Sequence, residues 1–316
     1  MDVVIPTYNN RDLVLRCVDA LNDPVIAQVI VVDDVSSDDT LEALGSQAPA
    51  VRVVALNAQA GLAHALNRGA GCGAAPLVLF LNDDVIAEPG AVALLVARIM
   101  ENPELTFAGG RLVDALTFRT QTRYKPRALP TALTFAARLT GVERCWRANP
   151  WSGQHLRDPL PDNAPRQISL QPAGACLLVP RSCLDRIGGW DEAFWFWYED
   201  VDLIARLLKM GEGMWEPRAV FRHVGRHSTR SWDRHRQHAR LYHSSLRYAL
   251  KHLSRLGRVA VALLAFLSFV LRIAHHGSRG HWEAVHVYGR LAAQALAVVS
   301  GLEPGPPYTI EPPRRR

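Results

Sequence analysis

Three acidic groups in this sequence are spaced so that they could do chemistry. Asn82-Asp83-Asp84 follows the apolar run 78–81 directly. Carboxylates at a strand end with no basic neighbours repel one another unless a cation sits there, and Mg²⁺ or Mn²⁺ takes oxygen ligands that it shares with substrate phosphates. Asn and Asp also serve in turns and helix N-caps, so this motif alone leaves both readings open. Asp33-Asp34 ends a second apolar run, 28–33. Asp33 stands where a carboxylate can accept a hydrogen bond from a base N–H or a ribose hydroxyl. Asp34 fits that role or a solvated turn, and Asp38 reads as an N-cap. The third group, Glu199-Asp200-x-Asp202, opens a helix-like stretch. There the macrodipole favours negative charge without any catalytic role; the chemical alternative is a general base.

The elements that must position these groups are legible. Residues 2–6, 28–33, 51–56 and 77–81 are short apolar runs, separated by helix-like stretches at 11–21, 38–47 and 61–73. That alternation predicts a parallel sheet covered on both faces, with ligands at the carboxyl ends of its strands. A helix is expected from Pro89 to about Glu101 and a strand near 105–112. Residues 114–167 lose periodicity and hold six prolines from Pro126 to Pro165, which reads as an irregular insertion with short helices. Regularity returns at 167–179, a helix is expected over 199–210, and the tail from Arg234 reads as two or three helices. Residues 303–316, with five prolines and a terminal Arg triplet, read as disordered. Gly69-x-Gly71-x-Gly73 precedes a strand instead of following one, so it fails as a dinucleotide fingerprint and reads as the end of the 61–73 helix.

The ordered motifs resemble glycosyltransferase family 2. They are Val4-Ile5-Pro6-Thr7-Tyr8-Asn9, Val32-Asp33-Asp34-x-Ser36-x-Asp38-x-Thr40, Gly61-x-Ala63-x-Ala65-x-Asn67-x-Gly69 and Phe80-Leu81-Asn82-Asp83-Asp84. Further along stand Gly188-Gly189-Trp190-Asp191-Glu192-x-Phe194, Tyr198-Glu199-Asp200-x-Asp202-Leu203 and the HxxGxS pattern from His223 to Ser228. Asn82-x-Asp84, with Pro89-Gly90 soon after, is similar to the bacterial rhamnosyltransferase-type branch. Gln59 departs from the family's usual Asn before the glycine at 61.

The resemblance implies an α/β GT-A fold over residues 1–230 with the 114–167 insertion, followed by a basic and apolar helical tail at 231–302. It implies inverting transfer from a nucleotide-sugar, with dTDP-rhamnose favoured, to a glycan or lipid-linked acceptor in bacterial cell-surface polysaccharide synthesis. Pro6, Thr7, Tyr8, Asp33, Asp34, Asn67 and Asp83 would bind the nucleotide-sugar. Asp84 and His223 would hold Mg²⁺ or Mn²⁺, and Asp200 would be the base. Gly174, Trp190, Asp191 and Glu199 would face the acceptor. The aromatic block 194–198 reads mostly as core, with an acceptor platform as the alternative.

Two rival classes compete with this reading. A sugar nucleotidyltransferase would share the sheet and the metal, but it wants a glycine-rich, basic phosphate loop where Thr7-Tyr8-Asn9-Asn10 stands. A non-catalytic nucleic-acid-binding protein would explain the basic tail, though not the ordered acids, so no nucleic-acid partner is expected.

Charge is distributed unevenly. Residues 1–110 carry 5 Arg and no Lys against 14 acids, whereas residues 218–258 carry 11 Lys and Arg, 6 His and one acid. Hydrophobic residues at 48% and charged ones at 21% exclude disordered and collagen-like classes. Five cysteines without a CxxC pair argue against a disulfide framework or a zinc site and for a reducing compartment. The N-terminus, with no basic region and Pro6, does not read as a signal peptide. The 13-residue apolar run 259–271 is too short to span a bilayer on its own. Beside the basic segment it reads as a surface anchor on anionic lipid, placing the protein in the cytoplasm, peripheral on the inner membrane face.

Overall fold

The computed structural model describes residues 1–146, 149–151, 162–225 and 233–305. Contacts divide the chain into two units. One comprises the described residues of Met1–Leu129, Asp158–Ala193 and Glu199–Arg230; the other comprises those of Pro130–Arg157, Phe194–Tyr198 and Ser231–Arg316. Part of the expected insertion and the aromatic block therefore group with the tail.

The first unit is built on a nine-stranded sheet. Its early strands are β1 (Asp2–Thr7), β2 (Gln28–Asp33), β3 (Arg52–Ala55), β4 (Leu77–Leu81) and β5 (Val85–Ala87). Its later ones are β6 (Phe107–Asp114), β7 (Arg166–Ile168), β8 (Cys176–Pro180) and β9 (Gly213–His223). The order is β3-β2-β1-β4-β8-β6-β9-β5, with β7 beside β9. Helices α1 (Arg11–Asp19), α2 (Thr40–Gln47), α3 (Leu62–Ala70) and α4 (Ala91–Glu101) link the first strands, and α7 (Arg181–Arg186) and α8 (Glu199–Leu207) follow β8.

β1, β2, β3 and β4 pair in parallel, as the alternation predicts. The sheet is nevertheless mixed: β8 runs antiparallel between β4 and β6. β8 is Cys-Leu-Leu-Val-Pro, and an apolar run buried on both faces reads the same in either direction. The sheet separates two apolar cores, one around Ile5, Leu79 and Phe221, the other around Val4, Phe80 and Trp215. Gly69 lies within α3 against the sheet. A Cβ there would stand 2.3 Å from Cγ1 of Val4, so this glycine sets a close helix–strand approach, while Gly71 caps the helix.

β9 has no counterpart in the sequence reading. It pairs with β6 up to Glu216 and resumes at Val220, so Pro217, Arg218 and Ala219 bulge out. Glu216 is fully buried there and is satisfied by Arg98 at 2.8 Å and Arg218 at 2.9 Å.

The second unit contains α5 (Ala132–Leu139), α6 (Val142–Cys145), α9 (Arg234–His252), α10 (Arg255–Gly277) and α11 (Trp282–Val299). Val261, Ala262, Ala265 and Phe269 are the buried side of α10, and the last three belong to a core that α9 and α11 share. Leu256, Leu263, Leu267 and Leu271 on its other side are exposed. At 23 residues, α10 is long and apolar enough to cross a membrane by length and composition. This exceeds the expectation from the uninterrupted run, because the helix continues past Arg272 through Ile273 and Ala274. All five cysteines are free. The residues expected to be disordered lie outside the described ones from 306 onward.

Candidate active site

Antiparallel β8 brings its start to the edge where the parallel strands end. Asn82 N–H donates to the carbonyl of Ala175 at 3.0 Å, joining the end of β4 to the segment before β8. β6 and β9 end at the same edge, where Asp114 pairs with His223. β5 begins there, with Val85 opposite His223. Asp83-Asp84, Gly174 and His223, far apart in sequence, therefore share one rim with Thr7 and Asp33, the paired ends of β1 and β2.

On the β1–β2 side, the loops hold one another. Asn9 Oδ1 accepts from Ser37 N–H at 2.6 Å, and Asn9 N–H donates to Ser36 Oγ at 2.9 Å. Asn9 and Val35 both have positive φ, 50° and 66°, and for the β-branched Val35 this is strain concentrated at a ligand-facing edge. Asp33 is 1% exposed; Oδ2 accepts from Ser36 N–H at 2.9 Å, while Oδ1 is buried without a hydrogen-bond partner. Asp34 accepts from Ala60 N–H at 3.1 Å, and burial raises its pKa. Asp38 accepts from both the N–H and the hydroxyl of Thr40, at the start of α2. Pro6 is half-buried and Tyr8 is exposed beside them.

Asp83 points inward and accepts from the Thr7 hydroxyl at 2.8 Å. Burial, then repulsion from Asp84, push its pKa up to about 7. Asp84 Oδ2 accepts from Gly225 N–H at 2.8 Å, and Oδ1 lies 3.5 Å from His223 Nε2. Gln121, which the sequence reading missed, determines what that ring nitrogen is. Its Nε2 donates to the His223 carbonyl at 2.9 Å, so its Oε1, 2.8 Å from His223 Nδ1, must accept. Nδ1 therefore carries the proton, and Nε2 presents a lone pair to a carboxylate oxygen. Burial lowers the His223 pKa, which favours the neutral ring. A nitrogen and a carboxylate oxygen facing across 3.5 Å are a donor set that would suit Mn²⁺ or Mg²⁺. Among the described residues no group of three or more His, Cys, Asp and Glu is arranged to hold a metal, so further ligands here would be water and donor phosphate.

Asp200 stands in the first turn of α8. Its Oδ2 accepts from Gly174 N–H and from Gln171 Nε2, both at 3.1 Å, and its Oδ1 from Val201 N–H at 2.8 Å. Gln171, like Gln121, was not singled out by sequence. Glu199 is buried, and burial followed by repulsion from Asp200 raises its pKa. Its Oε2 has no hydrogen-bond partner. Trp197 and Tyr198, immediately before it, have φ of 64° and 65°. Gly174 holds Asp200 directly, which places it as a backbone support for that carboxylate.

Other expected site residues are engaged in structure. Asn67 donates to the Trp190 carbonyl at 2.9 Å and to Glu192 at 2.8 Å, and it accepts from Trp190 N–H at 2.9 Å. Its amide thus locks the 188–192 loop. Trp190 is buried edge-on against Phe80, ring centroids 5.0 Å apart. Asp191 accepts from Ala193 N–H at 3.0 Å. In the HxxGxS pattern, Arg226, His227 and Ser228 lie outside the described residues.

Residues 2–150 match the model of glycosyl transferase family 2. A relative in Mycobacterium tuberculosis, N-acetylglucosaminyl-diphospho-decaprenol L-rhamnosyltransferase, is 28% identical over 218 residues, which are 64% of this chain and 67% of the relative. Among solved structures, GalNAc-T7 with UDP, GalNAc and Mn²⁺ aligns with a TM-score of 0.57 at 16% identity, over 79% of this chain and half of that one. The mannosyltransferase PcManGT from Pyrobaculum calidifontis, in complex with GDP-Man and Mn²⁺, aligns with a TM-score of 0.51 at 15% identity, over 95% of this chain and 85% of that one. At such identities these two structures carry the fold, which is GT-A.

Proposed function

We propose that this chain, whose residues 2–150 match the glycosyl transferase family 2 model, transfers a sugar, with inversion, from a nucleotide-diphosphate donor to a hydroxyl of a glycan or lipid-linked acceptor. The Asp84–His223 pair carries this reading: it is a carboxylate and a neutral imidazole whose lone pairs meet at the rim where the strands end. Asp33, with one buried oxygen unpaired, accepts from the donor's base or ribose. Asp84 and His223 would hold Mg²⁺ or Mn²⁺, which would supply positive charge to offset that of the donor's diphosphate. Asp200 takes the proton from the acceptor hydroxyl as that oxygen attacks the anomeric carbon. Its orientation for that task comes from Gly174, Gln171 and the α8 N-terminus.

The donor is dTDP-rhamnose in this proposal, on the strength of the 28% identical rhamnosyltransferase relative, and the pathway is bacterial cell-surface polysaccharide synthesis. The helical tail, basic through Arg258 and exposing leucines along α10, rests on anionic lipid at the cytoplasmic membrane face.

The test is release of nucleoside diphosphate from dTDP-, UDP- and GDP-sugars with lipid-linked acceptor, with and without Mn²⁺. Metal-dependent release from dTDP-rhamnose, abolished in Asp200→Asn, is expected. Equal release by wild type and Asp200→Asn would sink the base assignment.

A further inference from the structure

Within the second unit a cavity of about 790 Å³ opens among α5, α6, α9 and α10, a size typical of ligand sites. Its walls differ in chemistry. α10 contributes only Val261, Ala265 and Phe269, and α9 contributes Leu241, Ser245 and Leu246. The α5–α6 side contributes Phe135, Leu139 and the charged Arg138, Glu143 and Arg144, joined by Tyr198, so two guanidinium groups face one carboxylate. Arg138 donates to the Tyr198 hydroxyl at 2.8 Å and pairs with Glu143 at 3.1 Å. Arg144 is exposed and has no ion-pair partner among the described residues. The polar groups that α9 adds are engaged with α10 and α11: His238 with the Tyr288 hydroxyl at 2.8 Å, Tyr242 with Arg272 at 3.3 Å.

An apolar trough with an uncompensated guanidinium at its rim is complementary to an amphiphile. The hydrocarbon chain finds aliphatic and aromatic walls, and an anionic head finds a planar, permanently charged donor. We propose that the cavity holds the hydrocarbon chain of a phosphorylated lipid, with Arg144, seconded by Arg138, on its phosphate. This rests on the transferase reading above, under which the lipid is the acceptor's own carrier. Tyr198, in the cavity wall, stands two residues before Asp200 in sequence. An aliphatic phosphate could equally come from a membrane phospholipid, and the test separates these sources.

Full-length protein is titrated with geranylgeranyl diphosphate, geranylgeraniol and lysophosphatidylglycerol, and binding is read by displacement of a polarity-sensitive naphthylamine dye. The diphosphate is expected to bind about tenfold or more tighter than the alcohol, as loss of a charge-assisted contact implies, and tighter than the lysophospholipid. Ser245→Trp, which fills the trough from a residue whose hydroxyl bonds only its own helix at Leu241, should weaken the diphosphate by a similar factor. Arg144→Glu, at an exposed position, should weaken the diphosphate and leave the alcohol unchanged; it decides the matter alone if Ser245→Trp fails to fold. Unchanged diphosphate binding in both variants overturns the site, and preference for lysophosphatidylglycerol overturns its assignment to the acceptor's carrier. Wild type that cleaves a nucleotide-sugar but binds no isoprenyl diphosphate removes this inference only. Wild type that binds the lipid but no nucleotide-sugar removes the transferase reading and with it the lipid's role as acceptor.

Discussion

Gly174 and Asp200 are fitted to one another: the Gly174 N–H donates to Asp200 Oδ2 at 3.1 Å, and a Cβ at 174 would stand 2.6 Å from Cβ of Asp200. No side chain fits that space without moving the carboxylate. Gly174→Ala should therefore lower kcat by about a hundredfold, the scale on which a misplacement of about 1 Å acts. KM for the donor should change little, since Asp33, Thr7 and Asp84 are remote in sequence and separately anchored. Steady-state kinetics with varied donor checks the split, and a rise in donor KM with unchanged kcat would place Gly174 elsewhere in the cycle.

The amide of Gln121 predicts a different signature. With Gln121→Leu, His223 loses the acceptor for Nδ1–H and the donor to its carbonyl, and the ring is free to turn or change tautomer. Removing such a partner behind a metal-binding histidine typically costs 10- to 100-fold in affinity, written here as about 30-fold. The expected result is a rightward shift of the Mn²⁺ activation curve by that factor, with kcat largely recovered at saturating Mn²⁺. Gln121→Glu, which still accepts from Nδ1–H, should fall between. Identical Mn²⁺ curves for all three proteins would contradict the role.

Glu199 makes stability depend on pH. Its folded-state pKa is raised from 4.5 to about 8 by burial and by Asp200. Between those values the folded chain keeps a proton that the unfolded chain has lost. Stability attributable to this group is therefore highest below pH 4.5, declines as pH rises and levels off above pH 8. Glu199→Gln removes the titration. It should match wild type near pH 4.5 and exceed it above pH 8, by an amount on the order of a few kcal/mol. Urea melts across that range measure the difference, and parallel pH profiles for the two proteins would contradict the assignment.

How much of this was legible in sequence follows from chemistry. β1, β2 and β4 are apolar runs with polar ends, Thr7-Tyr8-Asn9 after β1 and acids after β2 and β4, so both the strands and their polar tips could be read. β9 could not, because Pro217, Arg218 and Arg222 interrupt it, and only the bulge and the Arg98–Glu216 and Glu88–Arg222 pairs reconcile those residues with a sheet. Gln121 and Gln171 were invisible because an uncharged amide in an irregular segment has no period and no charge to mark it. Asn67 stood in a motif, yet its amide is committed to Trp190 and Glu192, partners 123 and 125 residues away that spacing does not encode. The uninterrupted apolar run ends before Arg272, whereas α10 continues to Gly277.

The outer face of α10 yields the last prediction. Leu263 and Leu267 lie one turn apart on its exposed side, 49% and 55% accessible, while Ala262 and Ala265 bury the other side. Substituting either leucine by Glu leaves the packed side untouched, so the melting temperature should stay close to wild type. Fully burying a leucine contributes roughly 1.5–3 kcal/mol, and 1.4 kcal/mol is tenfold in a binding constant. Each substitution should thus weaken sedimentation with anionic liposomes by about tenfold, and a charge placed against anionic headgroups adds to that loss. Neutral phosphatidylcholine vesicles separate the two contributions, since the apolar loss persists there and the repulsion does not. Liposome binding that ignores both substitutions and the anionic lipid fraction would remove α10 as the membrane-facing helix.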